Sequence, residues 1–211
     1  MAGLYYTQES QVKPVGAERG ATLVQLRIYV EPGKIRIEYP KGGRLILAHL
    51  KEGVVWSVDE RRGLYAEASF DAIVAKWKAL RQAKGVGQAD TGIAFTKRGT
   101  NDRTILGHRC LHHVITSGDG SVLDVWAAPD LDFPEKETLY EYRARMGEFS
   151  PAVLDEIKRI KGFPLMMNGT TFVGGEKMSA LRTVTAVRQE DFAPDRFELP
   201  KGLKKIAVEG K

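Results

Sequence analysis

Alternating apolar and polar residues run through the first third of the chain. Between Leu4 and Glu67 apolar residues recur at every second position, and turn residues return at short, regular intervals. This pattern is typical of antiparallel strands joined by tight turns. Strands that follow each other so closely pair side by side, so we expect a meandering sheet. The predicted strands cover residues 22–30, 34–40, 44–50, 54–59 and 64–68.

The alternation also predicts two different faces for this sheet. Leu26, Ile28 and Val30 share one face, whereas Arg27 and Tyr29 share the other. An apolar face must be covered by helices, by a second sheet or by a ligand. We therefore expect one face to be covered and the other to be in contact with water.

Helical periodicity occurs three times further along. Ser69 is placed to N-cap a helix that Gly85 would end, a second helical region covers 134–146, and a third starts after Ser150 and stops at Gly162. Strand patterns return between and after these regions. The chain as a whole predicts a mainly β protein, with about 10 or 11 strands and three covering helices in a single domain over residues 1–211.

Charge adds one question to this picture. The chain has 32 Lys and Arg against 27 Asp and Glu, a net charge of +5 and an isoelectric point near 9.2, and a basic protein invites a nucleic-acid hypothesis. The densest basic segments are short and scattered, at 59–62, 78–84 and 201–205. RNA-recognition and zinc-finger signatures are both lacking. We therefore predict a solvated basic surface and no nucleic-acid partner.

The compartment is left open by composition alone. No apolar run approaches the roughly 18 residues that a membrane-spanning helix needs. The single cysteine excludes an internal disulfide, which envelope proteins also often lack. The opening residues MAGLYYTQES have no secretory signal pattern. Two interpretations follow: a cytosolic protein, or a mature chain whose signal has been replaced by an initiating Met.

The stretch GHRCLHH, residues 107–113, contains three of the four histidines and the only cysteine. In a strand His108, Cys110 and His112 would share a face, which is the arrangement a metal site would use. No further ligand motif completes such a metal site. A Cys-His nucleophilic pair is also not favoured, because two residues on one face of a strand point the same way rather than toward each other. We favour a strand with Cys110 packed as a small hydrophobe.

The tryptophans are the other candidate site residues. Trp56 and Trp126 fall in predicted strands, and Trp77 lies on the apolar stripe of the first helix. Large aromatic residues are most often core anchors, and that is the first interpretation here. The alternative is an apolar ligand cavity that they line together with the adaptable side chains of Leu165, Met166 and Met167.

Several segments occur in an order that resembles a known family. The longest carries a Trp-bearing hairpin followed by a Tyr-bearing strand, and the second a Gly-x-x-Cys pattern. The segments are KIRIEYPKGGRLILAHLKEGVVWSVDERRGLYAEAS, ILGHRCLHH, DVWAAPDLD, KGFPL and FELPKGLKK. This order resembles an uncharacterised-domain family within the superfamily of the LolA and LolB lipoprotein carriers.

The resemblance implies a fold, a location and a class of ligand. The fold would be an open, strongly curved antiparallel half-barrel with a few covering helices. The protein would be periplasmic, made with a signal that is absent here, and its concave apolar interior would hold an acyl chain or another hydrophobic ligand. No enzyme activity and no cofactor are implied. The cavity arginine of the carriers has no assignable counterpart, so lipoprotein transport is not carried over.

Three functions remain open at this point. The first is a non-enzymatic envelope protein that binds a lipid, another hydrophobic molecule or a lipidated partner in its concavity. The second is a structural or interaction protein of the envelope that docks a protein partner through a strand edge or basic face. The third is a metal- or haem-associated protein that uses His108, Cys110 and His112.

Overall fold

The strands of the computed structural model form one continuous sheet. The structure describes residues 2–16, 21–83, 92–118, 120–173 and 176–207. Within them thirteen strands build a large curved sheet that stays open, with three helices. The predicted LolA-like half-barrel is confirmed. The strands are β1 (Ala2–Pro14), β2 (Thr22–Glu31), β3 (Lys34–Tyr39), β4 (Arg44–His49), β5 (Val54–Asp59), β6 (Leu64–Ser69), β7 (Ala94–Arg98), β8 (Arg103–Ile105), β9 (His108–Ser117), β10 (Val122–Ala128), β11 (Phe163–Val173), β12 (Glu176–Asp191) and β13 (Lys204–Ile206).

Neighbouring strands in the sheet are mostly consecutive in the chain, but in the middle of the sheet β1 lies beside β12. From one edge it runs β13-β6-β5-β4-β3-β2-β1-β12-β11-β10-β9-β7, and β8 pairs with β9 beside β7. The meander predicted from residues 22–68 is present, and its neighbours are antiparallel. The long strand β1 lies at the centre, paired with β2 on one side and β12 on the other, so that Ala2 stands opposite Asp191.

Two of the three helices, α1 and α3, begin as their capping residues predict, whereas α2 has no side-chain cap. They are α1 (Phe70–Ala83), α2 (Lys136–Arg145) and α3 (Pro151–Arg159). The Ser69 hydroxyl accepts from the backbone N–H of Ala72 at 3.2 Å, and the Ser150 hydroxyl accepts from Val153 at 3.4 Å. Gly85, the predicted end of the first helix, lies outside the described residues.

The helices cover the concave face of the sheet. Alternate residues of β1 and β2, such as Tyr6, Ile28 and Val30, are buried in one large cluster with Leu139 and Tyr142 of α2. A second cluster forms where α3 packs against β9, β10 and β11; its members include Ile115, Val125, Leu154, Ile157 and Met167. These two clusters are the core of the protein.

Part of the convex face is covered as well: Arg27 is exposed as expected, but Tyr29 is buried, which corrects the expectation for that residue. Residues 192–206, which we call the strap, leave β12 and cross this face before adding β13 to the far edge, parallel to β6. Phe197 of the strap is buried against Tyr5 and Tyr29, so Tyr29 is only 7% exposed. His49 Nε2 donates to the Phe197 carbonyl at 2.9 Å. The pattern at Arg27 and Tyr29 gave no sign of this cover, because the covering residues lie far away in the sequence.

The turn between β8 and β9 carries backbone strain. Leu106 and Gly107 both have positive φ, 53° and 82°, as the two central residues of a type I′ hairpin turn require. Leu106 is also 43% exposed, so little burial offsets its unfavourable backbone.

Replacing Leu106 with asparagine is expected to stabilise the protein by about 1 kcal/mol, because asparagine tolerates this conformation. In thermal unfolding the midpoint should rise by roughly 3 °C. Leu106→Ala is the matched control: it removes the exposed side chain but keeps the strain, and should give no such gain. Equal midpoints for the two variants would contradict the assignment of strain.

Candidate functional site

The interior beneath α2 is filled by side chains. A void of about 10 Å³, which is room for a single water at most, lies there among the described residues. Leu165, Met166 and Met167 line it together with Tyr6 and Arg143. Three of the six residues predicted to line a cavity are thus together, but around a space too small for a hydrophobic ligand.

Charged side chains lie beside this void, with Arg143 buried and Arg182 and Glu148 partly buried. Arg182 Nη1 lies 2.5 Å from Glu148 Oε1, and Arg143 Nε lies 3.8 Å from Glu148 Oε2. Arg143 Nη1 also donates to the Met167 sulfur at 3.7 Å. Burial lowers the pKa of Arg182. At Arg143 burial is again the largest single influence, but the Glu148 carboxylate, Tyr6 and Tyr140 together outweigh it, so the pKa is raised. Two guanidinium groups therefore share one carboxylate in a region shielded from water.

Tyrosines surround these charges. Burial raises the pKa of Tyr6 and of Tyr142, and it raises that of Tyr140 to about 12. Their phenols stay neutral at physiological pH and act as hydrogen-bonding groups. This buried network ties α2 and the α2–α3 connection to the sheet.

An open trough lies on the same face of the sheet, next to the filled region. Its volume is about 410 Å³, within the range of small-molecule sites. Ile46, Ser57 and Ala66 stand directly opposite each other on β4, β5 and β6 and form one row of its lining. Ile46 continues the row of Ile28 and Ile37, so this row belongs to the concave face.

The second row of the trough is more polar and lies toward the turns. Tyr39, Arg44, Asp59 and Leu64 are opposite each other across β3 to β6. Burial raises the pKa of Tyr39, so its phenol is neutral. Arg62 and Ile206 complete this end. The trough therefore has a mixed lining, with apolar residues along one row and two guanidinium groups and the Asp59 carboxylate at its outer end.

The structure separates the three tryptophans. Trp56 lies on the convex face, where it packs with the strap and donates from Nε1 to Glu67 at 2.9 Å. Trp77 is half-buried on α1. Trp126 is buried on β10 and stacks on His112 with ring centroids 4.5 Å apart. None of the three lines the trough or the small void.

The side chains of His108, Cys110 and His112 share one face of β9 but make separate contacts. His108 Nδ1 lies 2.6 Å from Asp130, and Cys110 is fully buried. His112 Nδ1 accepts from the backbone N–H of Asn101, so Nε2 carries the proton that it donates to Asp124 at 2.8 Å. Across the described ranges no three His, Cys, Asp or Glu side chains are grouped to hold a metal ion.

Residues 99–103, which follow β7, are held in place by contacts with His112 of β9 and Trp126 of β10. Arg103 stacks over the Trp126 ring at 4.6 Å, and Asp102 accepts from the His112 backbone N–H at 3.0 Å. Hydrogen bonds from Arg98 and from the His112 backbone lower the pKa of Asp102 to about 2. Gly99 approaches His112 so closely that an added Cβ would lie 2.1 Å from Nδ1. The histidine-rich strand thus anchors a loop.

A comparison of sequences identifies the family. The profile of the family described as Domain of unknown function (DUF4412) matches residues 23–203. The chain belongs to this family. The predicted uncharacterised-domain family with a LolA-like fold is confirmed. No curated protein sequence matches the chain significantly.

Several solved structures are similar to this chain in their path. An uncharacterised conserved protein from Thermus thermophilus is 11% identical, with 97% of this chain and 90% of that one covered and a TM-score of 0.51. A LolA superfamily protein from Nitrosomonas europaea is 9% identical over 94% and 90% of the two chains, with a TM-score of 0.40. The chain spans about a third of PNGF-II, which is 13% identical over 97% of this chain and 31% of that one, with a TM-score of 0.41. At these identities the likeness concerns the fold alone.

The residues that line the trough were not identified from the sequence. Ser57 and Ala66 are small residues at positions that alternation assigns to the covered face, next to the larger Ile46. Small side chains on a core-facing row indicate either close packing or open space, and the pattern alone does not distinguish them. The trough is also not lined by any of the three tryptophans on which the cavity hypothesis was built.

Proposed function

We propose that this DUF4412 protein is a non-enzymatic envelope protein that binds one hydrophobic ligand in its trough. The open volume of about 410 Å³ over Ile46, Ser57 and Ala66 supports this function. A sheet face of this kind must be covered, and in the trough no described side chain fills the space. An acyl chain is the simplest occupant, since burial of apolar surface gives about 25 cal/mol per Å² and requires no specific polar contact.

The location that fits this function is the periplasm. A carrier of a hydrophobic molecule is useful where such molecules must cross an aqueous space between membranes. Within the described part of the chain, none of the helices has the length and apolar character to cross a bilayer. Fractionation of cells that express the natural gene product tests this location.

Filling the trough is expected to abolish ligand binding. Ser57 is exposed and lines the trough, so Ser57→Trp places an indole in the ligand's volume with little cost to the fold. We expect the affinity for cis-parinaric acid, a fluorescent fatty acid, to fall at least about tenfold. Fluorescence titration measures this change, and native mass spectrometry of the unmodified protein should detect a co-purified lipid.

The matched control is Thr22→Trp. Thr22 is exposed on β2 and does not line the trough, so this variant adds the same side chain without blocking the site. It should bind the probe as the unmodified protein does. If both variants bind the fatty acid equally well, or if the unmodified protein does not bind it, the proposed function is wrong.

A second candidate function rests on the β7 edge of the sheet. Among the described strands β7 pairs only with β9, and Phe95 at this edge is 63% exposed. Val122 is 45% exposed, and both it and Phe95 stand opposite Thr116 on β9, so the two side chains share a face. An exposed edge with apolar side chains is a surface that a protein partner extends by adding a strand. This candidate is favoured if the fatty acid titration shows no binding.

A further inference from the structure

Basic residues converge at one end of the sheet. The two groups at 59–62 and 201–205, which look scattered in the sequence, meet there with Lys41 and Arg44 of the β3–β4 turn. We call this set the basic rim, and its members are Lys41, Arg44, Arg61, Arg62, Lys201, Lys204 and Lys205.

Backbone contacts hold the segments of the basic rim together. The Lys204 N–H donates to the Gly63 carbonyl at 2.9 Å, which joins the strap to the β5–β6 turn. The Glu60 N–H donates to the Gly43 carbonyl, also at 2.9 Å, which joins that turn to the β3–β4 turn. Arg61 Nη2 donates to the Lys41 carbonyl at 3.2 Å. The rim is therefore built into the fold and does not depend on side chains meeting by chance.

The rim carries a charge surplus comparable to that of the whole protein. Residues 40–44, 59–64 and 201–206 hold seven basic and two acidic side chains, while the net charge of the entire chain is +5. At the opposite ends of the same strands the charges are mixed, as in the pair of Lys34 with Glu31 at 3.2 Å. The protein is therefore polarised along its strands.

Most of the rim charges are available to an external partner. Lys41, Arg44, Arg62, Lys201 and Lys204 are exposed, and none of them forms an ion pair within the described ranges. Lys205 is the exception, because its ammonium group lies 2.9 Å from Glu67. A group of unpaired cations at one end of a protein attracts an anionic partner.

The rim surrounds an apolar opening. Arg44 and Arg62 line the trough, and so does Ile206, whose side chain is 41% exposed between the lysines of β13 and the trough. Basic side chains around an exposed apolar group match the chemistry of an anionic bilayer, which presents phosphates at its surface and hydrocarbon beneath them. A nucleic acid would use the positive charges but would leave the apolar opening without a partner.

We propose that the basic rim docks the protein on an anionic membrane surface, with the mouth of the trough facing the lipid. Exchange of a hydrophobic ligand between bilayer and trough would occur in this orientation; that part rests on the proposed function, whereas docking itself requires only the rim. Binding is electrostatic, so it depends on anionic lipid and weakens as salt screens the charges.

Vesicle co-flotation of the full chain tests this proposal. We expect binding to vesicles that contain about one third phosphatidylglycerol, no binding to phosphatidylcholine vesicles, and release at about 1 M NaCl, where the screening length is about 3 Å. Lys41→Gln, Lys201→Gln and Lys204→Gln together should lower the partition coefficient about 100-fold. None of these three side chains lines the trough.

The control triple variant carries the same change in charge elsewhere. Lys13→Gln, Lys51→Gln and Lys158→Gln also alter exposed lysines, on β1, at the other end of the strands and on α3, and should bind vesicles nearly normally. Equal losses in both triple variants, or no binding to anionic vesicles at low salt, would overturn the proposal. Preferential binding of RNA over anionic vesicles by the same rim would overturn it too.

The two proposals can fail separately. The rim variant should still bind cis-parinaric acid in solution, because the trough is intact. Ser57→Trp should lose the fatty acid and still float with anionic vesicles. If the rim variant loses fatty acid binding, the rim is part of the ligand site and membrane docking is not its separate role.

Discussion

Replacing Gly162 with alanine is expected to lower the free energy of unfolding by about 4 kcal/mol. Gly162 connects α3 to β11 with a φ of 92°, and a Cβ added there would lie 2.0 Å from the Ala128 carbonyl oxygen. The substitution therefore combines an unfavourable backbone conformation with a clash against the backbone of the end of β10, each of which costs about 1–3 kcal/mol. Denaturant unfolding followed by tryptophan fluorescence measures the loss.

Gly53 provides the matched control, because only one of the two effects applies to it. Its φ is 69°, but no atom lies within 4 Å of an added Cβ. Gly53→Ala should cost only about 1 kcal/mol. Similar losses in both variants would mean that the close approach at Ala128 does not contribute.

Glu148→Gln should destabilise the protein by about 3 kcal/mol, because it leaves the guanidinium groups of Arg143 and Arg182 buried without their shared carboxylate. In a chain of this length the thermal midpoint should fall by roughly 6–12 °C. Glutamine has nearly the same shape as glutamate, so the effect reports on charge rather than packing. Differential scanning calorimetry measures it.

Removing Arg143 as well should restore part of the stability that Glu148→Gln loses. Arg143 already contacts the Met167 sulfur, so Arg143→Met keeps an apolar contact at this site and leaves Arg182 paired with Glu148. By itself this variant should change stability by less than about 1.5 kcal/mol. Combined with Glu148→Gln it should recover part of the midpoint. If the double variant is as unstable as the sum of the two changes, the charges do not interact in this way.

The sequence was most informative where structure is local. Hairpin strands such as 54–59 and helix starts such as Ser69 depend on neighbouring residues, and alternation or capping patterns reveal them. Elements set by distant residues were harder to find. The alternation that starts at Leu4 runs through β1, but it does not reveal the pairing of β1 with the distant β12, and β13 has only three residues, too few for a local pattern.

Contacts with distant residues also explain why the candidate site was predicted only in part. Alternation alone made Tyr29 look solvated, because it is the distant strap that covers this side of the sheet. Trp56 belongs to that covered convex face, although the sequence suggested a cavity residue. The basic segments at 59–62 and 201–205 looked dispersed until the pairing of β6 with β13 placed them side by side. Charge clustering in space is a property of strand register, which a single sequence reveals poorly.

The central position of β1 has a consequence for how the chain reaches its native state. As the chain folds, β1 can pair with the neighbouring β2 at once, but its other edge stays unsatisfied until β12, about 180 residues further along the chain, joins it. During that time the hydrogen-bonding edge of a nascent sheet is exposed to other chains. We expect slow folding dominated by long-range pairing, and a need for chaperone protection until the two halves of the sheet are joined.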